Sequence, residues 1–436
     1  MNKRLVLSIA VALSIAATGN ALAATPVDPV ESAIVAHVRG DHARSLALLQ
    51  ETVDINSGTM NFAGVRKVGA IFEREFKALG FATRWIDGAS SHRAGDLVAS
   101  RGKRGPKLLL IGHIDTVFAA DSPFQKLQIR ADGMASGPGS IDMKGGDVIM
   151  IHALRALRDG GQLDKMSVRV VLMGDEENRG EPMAVATQPL IEAGAWADIA
   201  LGFEDGDGDP KHAAISRRGV SSWELEVTGK PAHSSQIFQP EVGDGAIFEA
   251  ARILDGFRQA LSTVPNLTFN PGVIVGGTDV ALDTETSRGT AFGESNVIAQ
   301  SVRVSGDLRA LSPEQLTDAR EAMKKIVDAH VPHTDATLRF IDGYPPMAPT
   351  PGNAKLLAIY DAASRDLGFG EVTAINPRNA GAADISFIAD QVDMAIDGIG
   401  LRGSGGHTVD EVADLGTLDS QTMRAAVTMY RLLPRH

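Results

Sequence analysis

The sequence predicts an α/β fold: a mostly parallel sheet flanked by helices, into which a smaller α+β domain is inserted. Three observations lead there. Short apolar, β-branched runs alternate with stretches of helical period before about residue 205 and again near the C-terminal end, the pattern of strands joined by crossover helices. Between about Gly219 and Tyr344 the order changes to strand, helix, strand, helix, strand. At 436 residues the chain is also long for one hydrophobic core.

The elements follow in order. Lys3 and Arg4 precede an apolar run from Leu5 to Ala17, and Ala21, Leu22 and Ala23 close the segment; residues 1–23 therefore read as a signal peptide cleaved after Ala23. A periplasmic or secreted protein is expected. The apolar run is shorter than the roughly 20 residues of a membrane span, so no membrane association is expected after cleavage. In 64–80, Val65, Val68, Phe72, Phe76 and Leu79 recur at steps of three and four, the mark of an amphipathic helix ending at Gly80. Residues 107–111, 167–173, 198–203 and 392–396 read as strands, and 145–157 and 183–193 as helices. Within the insert, 220–227, 302–308 and 336–341 read as strands and 245–261 and 313–329 as helices. Residues 272–295 read instead as a long Gly- and Thr-rich connection.

Composition narrows the chemistry. With no cysteine, thiol catalysis, disulfides and cysteine-held zinc are excluded. A formal charge of −12 argues against a nucleic-acid partner.

Four predicted strands end in potential metal ligands. "LLLIGHIDTV" delivers His113 and Asp115, "VVLMGDEEN" delivers Asp175, Glu176 and Glu177, "IALGFEDGDG" delivers Glu204, and "GSGGHTVDE" delivers His407. Strand ends of open parallel sheets line the ligand crevice, so these groups are expected to meet. Taken alone, the three carboxylates could be a solvated loop and His113 a histidine tucked into a turn. On extended backbone His113 and Asp115 share a face, which lets the carboxylate receive the second ring N–H of a metal-bound imidazole. Asp142 sits among the glycines of "ASGPGSIDMKGG", where the backbone can follow an unusual path. That stretch lacks the Gly-Lys-Ser/Thr ending of a nucleotide loop.

The ordered set "GHIDTV", "GPGSIDMKGG", "GDEE", "GFE", "GKPAHSS" and "GGHTVDE" resembles the di-zinc exopeptidases: glutamate carboxypeptidases of the carboxypeptidase G type, aminoacylases, dipeptidases and succinyl-diaminopimelate desuccinylase. The resemblance covers essentially the whole mature chain. It implies a ferredoxin-like dimerisation domain at 218–345 between two parts of a catalytic domain, 24–217 and 346–436, and a homodimer. It implies two zinc ions or other divalent metals, one held by His113 and Glu204, the other by Glu177 and His407, with Asp142 bridging. Glu176 is then the general base. His233, from a partner subunit, polarises the scissile carbonyl, and Asn296 and Arg309 receive the carboxylate of a small peptide or N-acyl amino acid. The resemblance also implies a cis peptide at Asp142–Met143. Asp175 is left a structural role. Ala299, the "GDGAI" stretch and the long 272–295 connection depart from the family pattern and leave the substrate open: a glutamate-type carboxypeptidase is the leading expectation, an N-acyl-amino-acid hydrolase or dipeptidase the alternative, and a non-catalytic metal- or peptide-binding protein the alternative of another class.

Overall fold

Two sheets carry the structure, a computed structural model that describes residues 28–284 and 286–434. The expected signal peptide, residues 1–23, lies outside the described residues. No helix among the described residues is long and apolar enough to cross a membrane. The first sheet takes β1 (Ala82–Asp87), β2 (Gly95–Arg101), β3 (Lys107–His113), β4 (Ser167–Met173) and β5 (Ile199–Gly202). The second holds β6 (Ser221–Gly229), β7 (Thr268–Gly277), β8 (Ser301–Arg309) and β9 (Thr334–Asp342), before β10 (Met394–Ile396) returns to the first. The helices used below are α1 (Pro29–Gly40), α2 (His42–Val53), α3 (Phe62–Ala78), α4 (Lys144–Asp159), α5 (Gly245–Leu261), α6 (Pro313–Asp328), α7 (Pro351–Asp366) and α8 (Gly416–Arg431).

The first sheet runs β1-β2-β4-β3-β5-β10. β4, β3, β5 and β10 are mutually parallel, whereas β1 and β2 add an antiparallel edge. Alternate residues of β3 feed two cores: Leu108 and Leu110 pack under α1 to α4 and α8, while Leu109 and Ile111 face Leu190 and Ile388 on the other side. A strand buried on both faces reads as a continuous apolar run, which is why this one was legible. The predicted helix over 183–193 is instead two short ones, Met183–Ala186 and Gln188–Gly194. Pro189 lies in the first turn of the second helix, the position where a missing N–H does no harm, whereas inside one continuous helix it would break the ladder.

The second sheet, ordered β7-β8-β6-β9, is antiparallel throughout, and with α5 and α6 it forms the β-α-β-β-α-β order of a ferredoxin-like unit. Trp223, Leu225 and Val227 of β6 point at the helices, where Trp223 meets Phe257 edge-on at 5.8 Å. The intervening Glu224 and Glu226 pair with Arg339 and Arg303 on the open face. The expected 272–295 connection is overturned. Its first part belongs to β7, an edge strand with a register shift at Pro271/Val273, and its remainder holds a hairpin of Asp279–Asp283 and Arg288–Phe292. Pro is tolerated there because an edge strand can leave one N–H position unpaired.

Candidate active site

The sheet order sets the site. β4, β3, β5 and β10 lie side by side and parallel, so their C-terminal ends share one edge, where His113 closes β3 and Glu177 and Glu204 stand in the loops just past β4 and β5. Asp142 arrives from the turn before α4. Gly139 takes φ +72° there, and Gly146 lets α4 come so close to β5 that an added Cβ would sit 1.9 Å from the Phe203 carbonyl oxygen. The Asp142–Met143 peptide is cis. His407 sits beyond β10 at φ +64°, a left-handed conformation in which non-glycine residues are uncommon.

Asp142 stands between two histidines: Oδ1 lies 3.0 Å from His113 Nε2 and Oδ2 lies 2.9 Å from His407 Nε2. His113 Nε2 is 3.6 Å from Glu204 Oε1, and His407 Nε2 is 3.1 Å from Glu177 Oε2. His113, Asp142 and Glu204 thus make one triad, and Asp142, Glu177 and His407 a second, each with its ligand atoms within 4.8 Å. Ligands about 2.0–2.2 Å from a tetrahedral ion lie roughly 3.3–3.5 Å apart, so these separations fit one ion per triad. The electrostatics agree. Burial first, opposed by His113 and reinforced by the carboxylates of Asp142 and Glu176, pushes Glu204 well above the usual carboxylate range, and burial raises Glu177 and takes Glu176 to about 8. Hydrogen bonds to Asp142 and Glu177 lift His407 to about 11. So much buried negative charge favours cations.

Asp115 holds the parts in register. It is fully buried, and accepts from the Glu176 N–H at 3.0 Å, the Glu177 N–H at 3.1 Å and the Thr59 hydroxyl at 2.6 Å. The predicted contact with His113 is modified: Nδ1 reaches the backbone oxygen of Asp115 at 3.1 Å and its carboxylate only at 3.3 Å. The shorter contact better marks the ring's orientation, since the chain has left β3 at His113 and no longer alternates as a strand.

Several supporting residues were not anticipated. Glu411, buried, accepts from the N–H groups of Gly139 at 2.9 Å and Ile141 at 2.8 Å, fixing the turn that presents Asp142. Tyr344 donates its hydroxyl to the Glu176 carbonyl at 2.7 Å. Arg179 joins Tyr344, Asp175 and Asp384, so Asp175 is a structural partner of a buried arginine. Asp397 approaches the Glu204 N–H at 3.4 Å and binds Arg217 Nε at 2.7 Å.

The predicted substrate groups fall into two places. His233 bridges to Val297, and the Ser234 N–H bonds the Asn296 carbonyl at 2.8 Å, so His233 and Asn296 lie together past the end of β6. Arg309, bonded to Asp307 at 3.0 Å, sits at the opposite end of β8, near the start of β6. Nine residues of β8 separate the two ends, roughly 26 Å at the usual rise. The Arg309 end adjoins the metal-ligand side: Gly219 bonds Ala310, Val220 bonds Tyr344, and Tyr344 bonds Glu176.

A family model described as peptidase family M20/M25/M40 matches residues 109–435. Carboxypeptidase G2 of Pseudomonas sp. (strain RS-16) is 27% identical over 391 residues, covering 87% of this chain and 86% of that protein. Succinyl-diaminopimelate desuccinylase of Bradyrhizobium sp. (strain BTAi1 / ATCC BAA-1182) is 27% identical over 387 residues, covering 80% and 90%. Among solved structures, the Bacillus subtilis YXEP protein, described as a dinuclear metal binding peptidase, superposes with a TM-score of 0.62 at 15% identity, over 91% of this chain and 99% of that one.

Proposed function

Because the chain belongs to peptidase family M20/M25/M40, we propose that it is an exported, zinc-dependent exopeptidase that hydrolyses an amide bond beside a free carboxylate, a glutamate-type carboxypeptidase. The observation that carries the reading is the pair of triads sharing Asp142, one carboxylate oxygen facing each histidine. Export rests on the sequence of residues 1–23.

Two ions would be held by His113, Asp142 and Glu204 and by Asp142, Glu177 and His407. Bound there, zinc supplies Lewis acidity toward water and the scissile carbonyl. In this reading Glu176 is the proton-transfer group, supported by a backbone pinned at N by Asp115 and at O by Tyr344 and by a carboxyl raised to about 8 chiefly by burial. Nearby cations lower such a value toward neutrality, where a base works best. Glu176 takes the proton of the attacking water and returns it to the leaving nitrogen. Arg309 binds the free carboxylate of the substrate, for which a guanidinium is well matched.

His233 and Asn296 lie about a sheet length from Arg309, so in this reading they serve the site of a second subunit. Exposed apolar groups on the insert support the reading: Ile274 on edge strand β7 is 56% exposed, and Phe248 on α5 is 53% exposed with the Phe238 ring tilted against it at 5.6 Å. An unpaired apolar edge is stabilised by joining its two-fold mate.

Glu176→Gln tests the assignment. Turnover is expected to fall about 100-fold or more while bound metal, measured by elemental analysis, stays as in the unaltered protein. Retained turnover would remove Glu176 from the reaction. The similarity to the desuccinylase keeps N-acyl-amino-acid hydrolysis as the second reading; a panel of N-acyl, dipeptide and glutamyl amides separates the two.

A further inference from the structure

A cavity of about 450 Å³ opens beside Glu177, walled by residues 58–61, 116–117, 119–120 and Asn178. Two of its polar side chains are already engaged. The Thr59 hydroxyl bonds Asp115, and the Asn61 carboxamide bonds Asn56 and caps the Gly64 N–H. Apart from Asn178, what faces outward is apolar: Met60 is 62% and Val117 is 40% exposed, and Ala119 and Ala120 are exposed beside them. No lysine, arginine or histidine lines it. Arg93 touches Asn178 from outside the lining, and its guanidinium is engaged by four carbonyl oxygens, those of Asn178 (backbone and side chain), His92 and Arg179. Arg309 belongs to the inserted unit and does not line this cavity.

We infer that this cavity is the subsite for the acyl half of the substrate, and that it selects an uncharged apolar or aromatic acyl group over an anionic one. The inference rests on the amide-hydrolase reading for the bond cleaved beside Glu177, and adds which group lies on its carbonyl side. The volume is of the size that holds small ligands. Met60 and Val117 are large apolar side chains left exposed together at its wall, and an apolar acyl group would remove both from water. A succinyl carboxylate entering the same space would lose its hydration with no lysine, arginine or histidine in the lining to replace it, and the ions that Glu177 and its neighbours would hold are already matched by their own carboxylate ligands. The cavity therefore separates two activities that the metal centre alone does not.

The test uses N-benzoyl and N-succinyl derivatives of one amino acid with the full-length metal-loaded enzyme. The expected result is a kcat/KM for the benzoyl compound at least about tenfold above the succinyl one, the size of discrimination apolar pockets give. Met60→Lys, and independently Val117→Lys, should narrow or invert that ratio. Because both substrates share the leaving amino acid, losses from misfolding or metal release cancel in the ratio. A wild-type preference for the succinyl compound, or a ratio unmoved in both variants, overturns the inference. If neither compound is hydrolysed, the amide-hydrolase reading falls instead. Calorimetric binding of the same two compounds then decides the cavity, and equal or inverted affinities overturn it.

Discussion

Asp115→Asn probes the group on which base and metal ligands converge. Its carboxylate has no exposure to solvent and receives three hydrogen bonds, from the Glu176 and Glu177 N–H groups and the Thr59 hydroxyl. An asparagine offers one oxygen and one NH2. If the nitrogen takes the place of Oδ2, it opposes the Glu177 N–H, and only the Thr59 hydroxyl can rotate to accept. If it takes the place of Oδ1, it opposes the Glu176 N–H. Either way one backbone donor loses its acceptor, at about 1–3 kcal/mol, and the remaining bonds lose the assistance of a full charge. Part of that free energy appears as displaced ligands, so metal affinity or kcat/KM should fall by about 10- to 100-fold, the usual effect of altering a group that orients metal ligands. Metal titration of chelator-treated protein, followed by kcat/KM at saturating metal and by thermal unfolding, measures it. Thr59→Val removes one donor and no acceptor, and should cost less on every readout. Metal affinity and kcat/KM both within about twofold of the unaltered enzyme in Asp115→Asn would refute the orienting role.

Glu411→Ala orphans the Gly139 and Ile141 N–H groups, and should cost about 2–6 kcal/mol in stability or metal retention; an unchanged melting temperature and metal content would count against it. Glu75 is nearly buried, and although burial opposes its charge, hydrogen bonds from Arg155 and Arg74 hold its carboxyl below the ordinary 4.5. With the folded pKa depressed, its contribution to stability is present above about pH 4.5 and is lost as pH falls through the lowered value. Glu75→Gln should therefore flatten the acid limb of the stability curve, and an unaltered limb contradicts the pairing. Mixing His233→Ala with Glu176→Gln chains should restore about a quarter of full activity after random subunit exchange, since half the dimers are mixed and each regains one complete site. No recovery after verified exchange would reject completion by a partner subunit.

What could be read from the sequence was what depends on neighbours along the chain. The run over 167–173 coincides with β4, and 245–261 with α5, because a doubly buried strand and a one-faced helix each leave a periodic trace. β1 and β2 left none: they form an antiparallel edge in which Thr83, Arg84, Asp87 and Asp96 interrupt the apolar residues. β7 was hidden by Pro271, Gly272, Gly276 and Gly277, ordinarily loop residues, since an edge strand is held by one neighbour and can carry them.

The same distinction governs the site. His113, Asp115, Glu176, Glu177 and Glu204 each stand within four residues of a strand end, so strand pattern alone places them at one crevice. Their supports do not obey such a rule. Glu411 reaches Gly139 across 272 residues, Arg179 reaches Asp384 across 205, and Tyr344 reaches Glu176 across 168. Each is a single polar residue whose partner is fixed by tertiary packing, and nothing local marks it. Asp115 lies between the two cases. Its spacing from His113 announced a shared role, yet its carboxylate chiefly collects the N–H groups of the next strand's end, while its own carbonyl takes the shorter contact to the histidine ring. One residue thereby couples the orientation of a metal ligand to the backbone that carries the base, and substitution there should disturb both together.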